Sequence, residues 1–413
     1  SRSYKSDVDR PQYGSSGDRE AAISADGTRL VTLTDNHTGN ARIPPGRYLT
    51  VWDRTPGKVV REEKVAEREA TTVLAPGGQT FALFSVNSPQ LGMRLVSTET
   101  GNELRRLDDE DVPRQYQHGV ACRLVFSPDG RLLATRFESE VYAEEPVRDK
   151  AVKVWDPATG REVARFPAAG PARFAFAPDG LSLVVAGPTG FRVFELATRR
   201  EALAVAAAPT PGQRGRAFAD ALAVGPGGRT VATGHADGTI LIWDATGPRT
   251  RLDAATAWAA LADPDPKVAW SAVWRLAEAP ELAVRVIGDK LKPAAADPAT
   301  AGLVGRLDAG EFRAREEAER ALRALGSRAE PALRAALAGT PSAELRTRAE
   351  RLITLLTEGP AAGDDLRAIR AVQALEAIGT PEAKRQLEAL ARGDRHARLT
   401  REAQAAMSRA SGR

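Results

Sequence analysis

The chain has 413 residues, of which 42% are hydrophobic and 27% charged, with a formal net charge of +4. One cysteine excludes an internal disulfide framework, and the sequence contains no apolar run of the roughly 20 residues that a membrane helix needs. From Asp253 to Arg413, 25 basic and 23 acidic side chains nearly cancel, so this half carries no single-sign field to hold a phosphate backbone, and no nucleic-acid partner is expected.

The first residues, 1–19, read as a closing strand or a linker. The sequence starts at Ser1 without an initiating Met, so a fragment is expected. The compartment stays open, with cytoplasm favoured and export compatible. From Glu20 to Asp244 short apolar runs follow glycine-containing turns: Val31–Leu33, Phe81–Phe84, Leu132–Thr135, Leu183–Val185 and Thr230–Thr233. This predicts strand, tight turn, strand, loop, strand, with Gly27, Gly78, Gly130, Gly180 and Gly228 supplying the positive φ that the turn requires. The unit recurs. Ala25-Asp26-Gly27 precedes Val51-Trp52-Asp53, Ser127-Pro128-Asp129-Gly130 precedes Val154-Trp155-Asp156, and Gly225-Pro226-Gly227-Gly228 precedes Ile242-Trp243-Asp244. Weaker copies run from Ala75 to Ser97 and from Ala177 to Glu195, with Val96 and Phe194 at the Trp position. Such a period signals an array architecture.

From about Ala254 the period becomes helical. Trp258, Leu261, Val268, Ala272, Val273, Leu276, Val284 and Leu291 suit about three packed helices. Phe312–Leu325 reads as a helix stopped by Gly326, and another helix starts at Glu330-Pro331. An extra helix is expected around Leu345 to Leu356. A helix ending at Ile378-Gly379 follows, then one capped by Thr380 and opened by Pro381.

The first region resembles the WD-repeat β-propeller, on the Trp-Asp copies and turn glycines just named. The helical pairs resemble degenerate HEAT-type repeats, and the combination is similar to large bacterial WD-repeat proteins. The expected fold is therefore multidomain. An all-β propeller of about five visible blades (residues 20–248), incomplete or N-terminally truncated, precedes an all-α HEAT-like domain (residues 254–410). The last blade has no room for its fourth strand after Asp244, so a strand within Ser1 to Tyr13, or further blades upstream, would have to complete the ring. The resemblance also implies structural roles for Trp52, Asp149, Trp155, Asp237 and Trp243. A buried Asp, a strand Thr such as Thr233 and a His, for which His118 is a rough fit, hydrogen-bond with the Trp.

The chemistry-bearing residues are sparse. His37, His118, His235 and His396 are scattered with no second ligand at helix or hairpin spacing, so no zinc site is expected. Cys122 reads as a structural thiol within a strand. The acidic stretch Glu138, Glu140, Glu144, Glu145 and Asp149 contains no glycine for a calcium turn. No nucleophile elbow, phosphate loop or dinucleotide fingerprint appears, and no cofactor is expected. The basic tail Arg392, Arg395, His396, Arg398 and Arg401 reads as a solvated helix face, with an acidic partner as the alternative. Three enlarged loops are expected on one rim. They carry Asn36, His37 and Arg42; Glu138, Tyr142, Glu144 and Glu145; and Arg214 and Arg216. Scaffold-mounted loops commonly bind, and neutral insertion is the alternative reading. The expected function is non-enzymatic: a scaffold that binds a protein or peptide through the loop-rich face and the helical repeats. The alternative is a regulatory or sensor region of a larger signalling enzyme, such as a protein kinase, with its catalytic domain upstream.

Overall fold

A computed structural model of the chain describes residues 20–24, 27–36, 46–55, 57–66, 70–85, 92–107, 120–139, 151–168, 172–187, 190–206, 219–235, 237–248, 253–295 and 297–411. It is an all-β region of consecutive antiparallel sheets followed by an all-α region. Sheet 1 contains β1 (Glu20–Ile23), β2 (Arg29–Asn36), β3 (Gly46–Asp53) and β4 (Lys58–Ala66). Sheet 2 contains β5 (Ala70–Leu74), β6 (Thr80–Ser85), β7 (Gly92–Ser97) and β8 (Glu103–Leu107). Sheet 3 contains β9 (Val120–Phe126), β10 (Leu133–Ser139), β11 (Ala151–Asp156) and β12 (Arg161–Pro167). Sheet 4 contains β13 (Arg173–Phe176), β14 (Ser182–Gly187), β15 (Gly190–Glu195) and β16 (Arg200–Ala206). Sheet 5 has three strands among the described residues: β17 (Ala219–Val224), β18 (Thr230–His235) and β19 (Ile240–Asp244).

The repeat motifs close the turns as the sequence predicts. In sheet 3 the Gly130 N–H donates to the Ser127 carbonyl at 2.9 Å, and the Ser127 hydroxyl donates to Asp129 at 2.7 Å and accepts from Leu132 N–H at 2.9 Å. Gly130 sits at φ 71°, and the other four predicted turn glycines lie between 66° and 75°. A second turn joins the third and fourth strands, with the Gly57, Gly101 and Gly160 N–H groups donating to Asp53, Ser97 and Asp156 carbonyls. In sheet 4 that turn places Arg199 at φ 58°, a region that disfavours a side chain. Sheets 1 to 4 also share a bulge between third and fourth strands, at Val51/Trp52, Leu95/Val96, Val154/Trp155 and Val193/Phe194.

The chain divides into two compact units, Ser1–Pro167 and Ala168–Arg413. In the first, Val31, Leu49 and Val51 of sheet 1 form one core with Leu74, Phe81, Leu83 and Val96 of sheet 2. The opposite face of sheet 2, through Ala82, Phe84, Met93 and Leu95, packs on Leu124, Phe126, Leu133 and Trp155 of sheet 3. Sheet 2 thus buries one face on sheet 1 and the other on sheet 3. Cys122 is buried within this second core.

The second unit contains sheets 4 and 5 and ten described α-helices: α1 (Ala254–Ala260), α2 (Pro266–Ala277), α3 (Pro280–Lys290), α4 (Pro298–Arg306), α5 (Phe312–Leu325), α6 (Glu330–Ala338), α7 (Ala343–Glu358), α8 (Gly363–Ile378), α9 (Pro381–Ala391) and α10 (Arg398–Ser411). The predicted helix signals act locally. Gly326 and Gly379 end α5 and α8 at positive φ, and Thr380 accepts from Ala383 N–H ahead of Pro381. Asp253, Asp265, Asp297 and Ser342 cap α1, α2, α4 and α7 in the same way. At Asp253 the hydrogen bonds from the Thr256 N–H and hydroxyl hold the carboxyl below the ordinary range.

Two separate cores organise the helices. One unites α1, α2, α3, α8, α9 and α10 through Leu261, Val273, Leu276, Ile287, Val372, Leu375, Leu387 and Ala403. The other belongs to α4, α5, α6 and α7, through Val304, Leu322, Leu333, Ala349 and Leu352. The segment Pro298–Glu358 is therefore a four-helix group with its own interior, lying in sequence between α3 and α8.

Candidate functional site

The blade residues expected to be structural form hydrogen-bonded pairs where they are described. The indole N–H of Trp52 donates to the Thr32 hydroxyl at 3.1 Å, Trp155 to Thr135 at 2.9 Å, and Trp243 to Thr233 at 3.0 Å. Thr233 also meets His235 Nε2 at 3.0 Å. Thus a histidine takes part in sheet 5, but from the strand carrying the threonine, where its proximity gave no repeat signal. Asp237 accepts from the N–H and hydroxyl of Thr239 at 2.9 and 2.5 Å. Asp149 and His118 lie outside the described residues.

The same holds for most of the expected rim. His37, Arg42, Tyr142, Glu144, Glu145, Arg214 and Arg216 lie outside the described residues. The backbones of Asn36 and Glu138 pair in register with Gly46 and Ala121 at the ends of β2 and β10. In the basic tail, Arg401 turns inward to Glu330 at 2.8 Å. Glu330 is buried, and Arg334 shares its carboxylate at 2.7 Å.

A different surface stands out in sheet 5. Pairing of Val231 with Trp243 and of Thr233 with Leu241 sets one face toward sheet 4, with Leu222, Val224, Val231 and Trp243 joining its core. Alternation then assigns Ala221, Ala223, Ala232, Gly234, Ile240 and Ile242 to the opposite face. Every one of these is apolar or glycine, yet Ile240 is 72% exposed and Ile242 76%. Their counterparts two and four residues along in the other sheets are Leu49 and Val51, Met93 and Leu95, Val152 and Val154, and Phe191 and Val193. None of those exceeds 3%. Among the described residues nothing pairs with the outer edge of β19. This signal is readable in the sequence as Ile240-Leu-Ile242, but only pairing register shows which of those residues leave the core.

The sheet that carries the bare face is packed on its other side. Helix α2 lies on β16, and Trp270 and Trp274 enter the core shared by sheets 4 and 5. The Trp270 indole donates to the Ala245 carbonyl at 2.8 Å, and the two rings meet edge to face at 5.7 Å. Helix α8 adds a buried polar clamp. Arg370, 1% exposed, donates twice to Glu195 at 2.6 and 2.8 Å, and its remaining nitrogen donates to the carbonyls of Leu261 and Asp263 at 2.8 and 2.7 Å. Thr198 donates to the same carboxylate at 2.6 Å, and Gln373 donates to Asp179 at 2.7 Å. Glu195 ends β15 and Asp179 lies in the β13–β14 turn, so the β-repeat itself provides the docking points for the helix.

The described residues contain no group of three or more His, Cys, Asp or Glu placed to hold a metal ion, and no helix among them is long and apolar enough to cross a membrane.

Comparison with known proteins is consistent with the geometry of sheet 5. Residues 219–244, the span of β17 to β19, match the family "WD domain, G-beta repeat". A search of curated proteins finds no match. Among solved structures, the computationally designed Ika8 protein is similar at 19% identity and a TM-score of 0.37, over 54% of this chain and 57% of that one. The hydrazine synthase of Kuenenia stuttgartiensis is similar at 18% identity and a TM-score of 0.35, over 52% of this chain and 54% of that one. The chain thus spans little more than half the length of these similar structures.

Proposed function

We propose that this chain is a non-enzymatic protein-interaction platform, and that it meets its partner across the uncovered face of sheet 5. The observation that carries this reading is the exposure of Ile240 and Ile242, at positions that the other four sheets bury. A contiguous apolar surface on an ordered sheet is a feature of binding sites. The WD-repeat match falls on the same strands, and WD repeats generally mediate protein–protein contacts. The packing of α2 and α8 against sheets 4 and 5 supports a platform built on regular elements. The shared core of α8, α9 and α10 supports reading the helices as HEAT-like repeats that extend the platform.

The test is the double substitution Ile240→Lys, Ile242→Lys. Both side chains are exposed, so the variant is expected to keep the wild-type circular dichroism spectrum. It is expected to lose the proteins that cross-link to wild type. A cross-linking profile identical to wild type would overturn the assignment.

A further inference from the structure

Helices α4 to α7 interrupt the helical region. Their core and the core of α1, α2, α3, α8, α9 and α10 have no apolar residue in common. The seam between these two bodies carries polar bonds. Ser327 donates to Asp365 of α8, and Arg401 of α10 donates to Glu330 of α6 at 2.8 Å. A cavity of about 350 Å³ borders the same seam, with Val304, Pro331 and Ala332 on one side and Ala295 and Asp394 on the other, so packing there is incomplete. Both connections to α4 and α7 are fastened to neighbouring backbone. The Ala294 carbonyl accepts from the Asp394 N–H at 2.8 Å, and the Ala361 N–H donates to the Ala197 carbonyl at 2.7 Å. Short stretches remain between these anchors and the helix ends, and a hinge needs only a few such residues.

The bond between Glu330 and Arg401 can part without stranding either charge. Glu330 is buried, but its carboxylate also accepts from Arg334 at 2.7 Å, one turn along the same helix. Arg401 also donates to the His396 carbonyl on its own side of the seam. Each charge therefore keeps a partner that moves with it, so separation avoids the large cost of an uncompensated buried charge. The separate interiors mean that neither core is breached. We infer that α4 to α7 are a hinged body, docked on α8 and α10 through the Glu330–Arg401 latch and able to swing free of them with both cores intact. A polar seam between bodies with separate cores permits relative motion, and salt weakens the charge pair that holds it.

The test uses the full chain with spin labels on Arg320→Cys in α5 and Lys384→Cys in α9, both exposed positions, while the buried Cys122 stays unlabelled. Label-to-label distances are read by double electron–electron resonance. A single distance at low salt, joined by a longer one at about 1 M salt, where the Debye length is about 3 Å, is expected. Arg401→Gln should raise the longer-distance population at low salt about threefold, the scale of one partly screened ion pair. The six tryptophans all lie outside α4 to α7, so their near-ultraviolet dichroism should stay unchanged throughout. One distance that neither salt nor Arg401→Gln alters would overturn the inference, and the salt result alone decides if the variant does not fold. Loss of the tryptophan signal together with the longer distance would overturn it too, because the bodies would then part only by unfolding.

Discussion

At the scale of single residues, Arg370 and Glu195 carry the largest stake. Both are buried and every strong bond of the pair is made in the interior of the second unit. Removing one partner leaves an uncompensated charge there, so Glu195→Ala is expected to cost roughly 3–5 kcal/mol in urea unfolding of that unit, and replacing both together by methionine should cost less than the single change. Asp129 makes a smaller, pH-dependent contribution. Burial pushes its carboxyl up, but the Arg131 charge and the bonds from Ser127 and the Arg131 N–H outweigh this and hold it below the ordinary value. A lowered carboxyl stabilises fully above its unfolded value, near pH 4, and the contribution is lost as pH falls through the folded value. Asp129→Asn should therefore flatten the acid limb of the melting temperature below roughly pH 4 while leaving its slope near neutrality unchanged.

Among elements, legibility tracked how local the cause was. Gly130, Gly326 and Gly379, the Pro-opened α9 and the capped α2 are fixed by their immediate neighbours, so periodicity and turn chemistry anticipated strands 20–244 and most helices. Helix α4 has little periodic signature because Ala-Gly-Leu-Val-Gly offers little amphipathic contrast, although Asp297-Pro298 marks its start. The clamp was invisible for another reason. Arg370 and Glu195 are 175 positions apart and neither has a local pattern to announce it. The face of β19 falls between these cases. The lack of a fourth strand after Asp244 is readable, but the solvent exposure of Ile240 and Ile242 depends on which side sheet 4 covers.

For the whole molecule, the compact units separate the β-region between its third and fourth sheets, and the last two sheets share their interior with the helices. Hydrophobic stabilisation follows the area removed from water, and Trp270, Trp274 and Ala277 cover the residues that sheets 4 and 5 turn toward α2. A fragment of residues 168–413 is accordingly expected to elute as a compact species with the near-ultraviolet dichroism of ordered tryptophans. Residues 168–248 alone should aggregate or lose that signal, and a well-folded 168–248 would show that the helices are dispensable to these sheets.

Sheet 4 departs from the Trp-Asp consensus at two adjacent positions, Phe194 and Glu195, and the second of these is the residue that grips α8. An aspartate there would be one methylene shorter. The departure from Trp-Asp in sheet 4 thus coincides with its attachment to α8: the longer acid that closes β15 is the one that reaches Arg370.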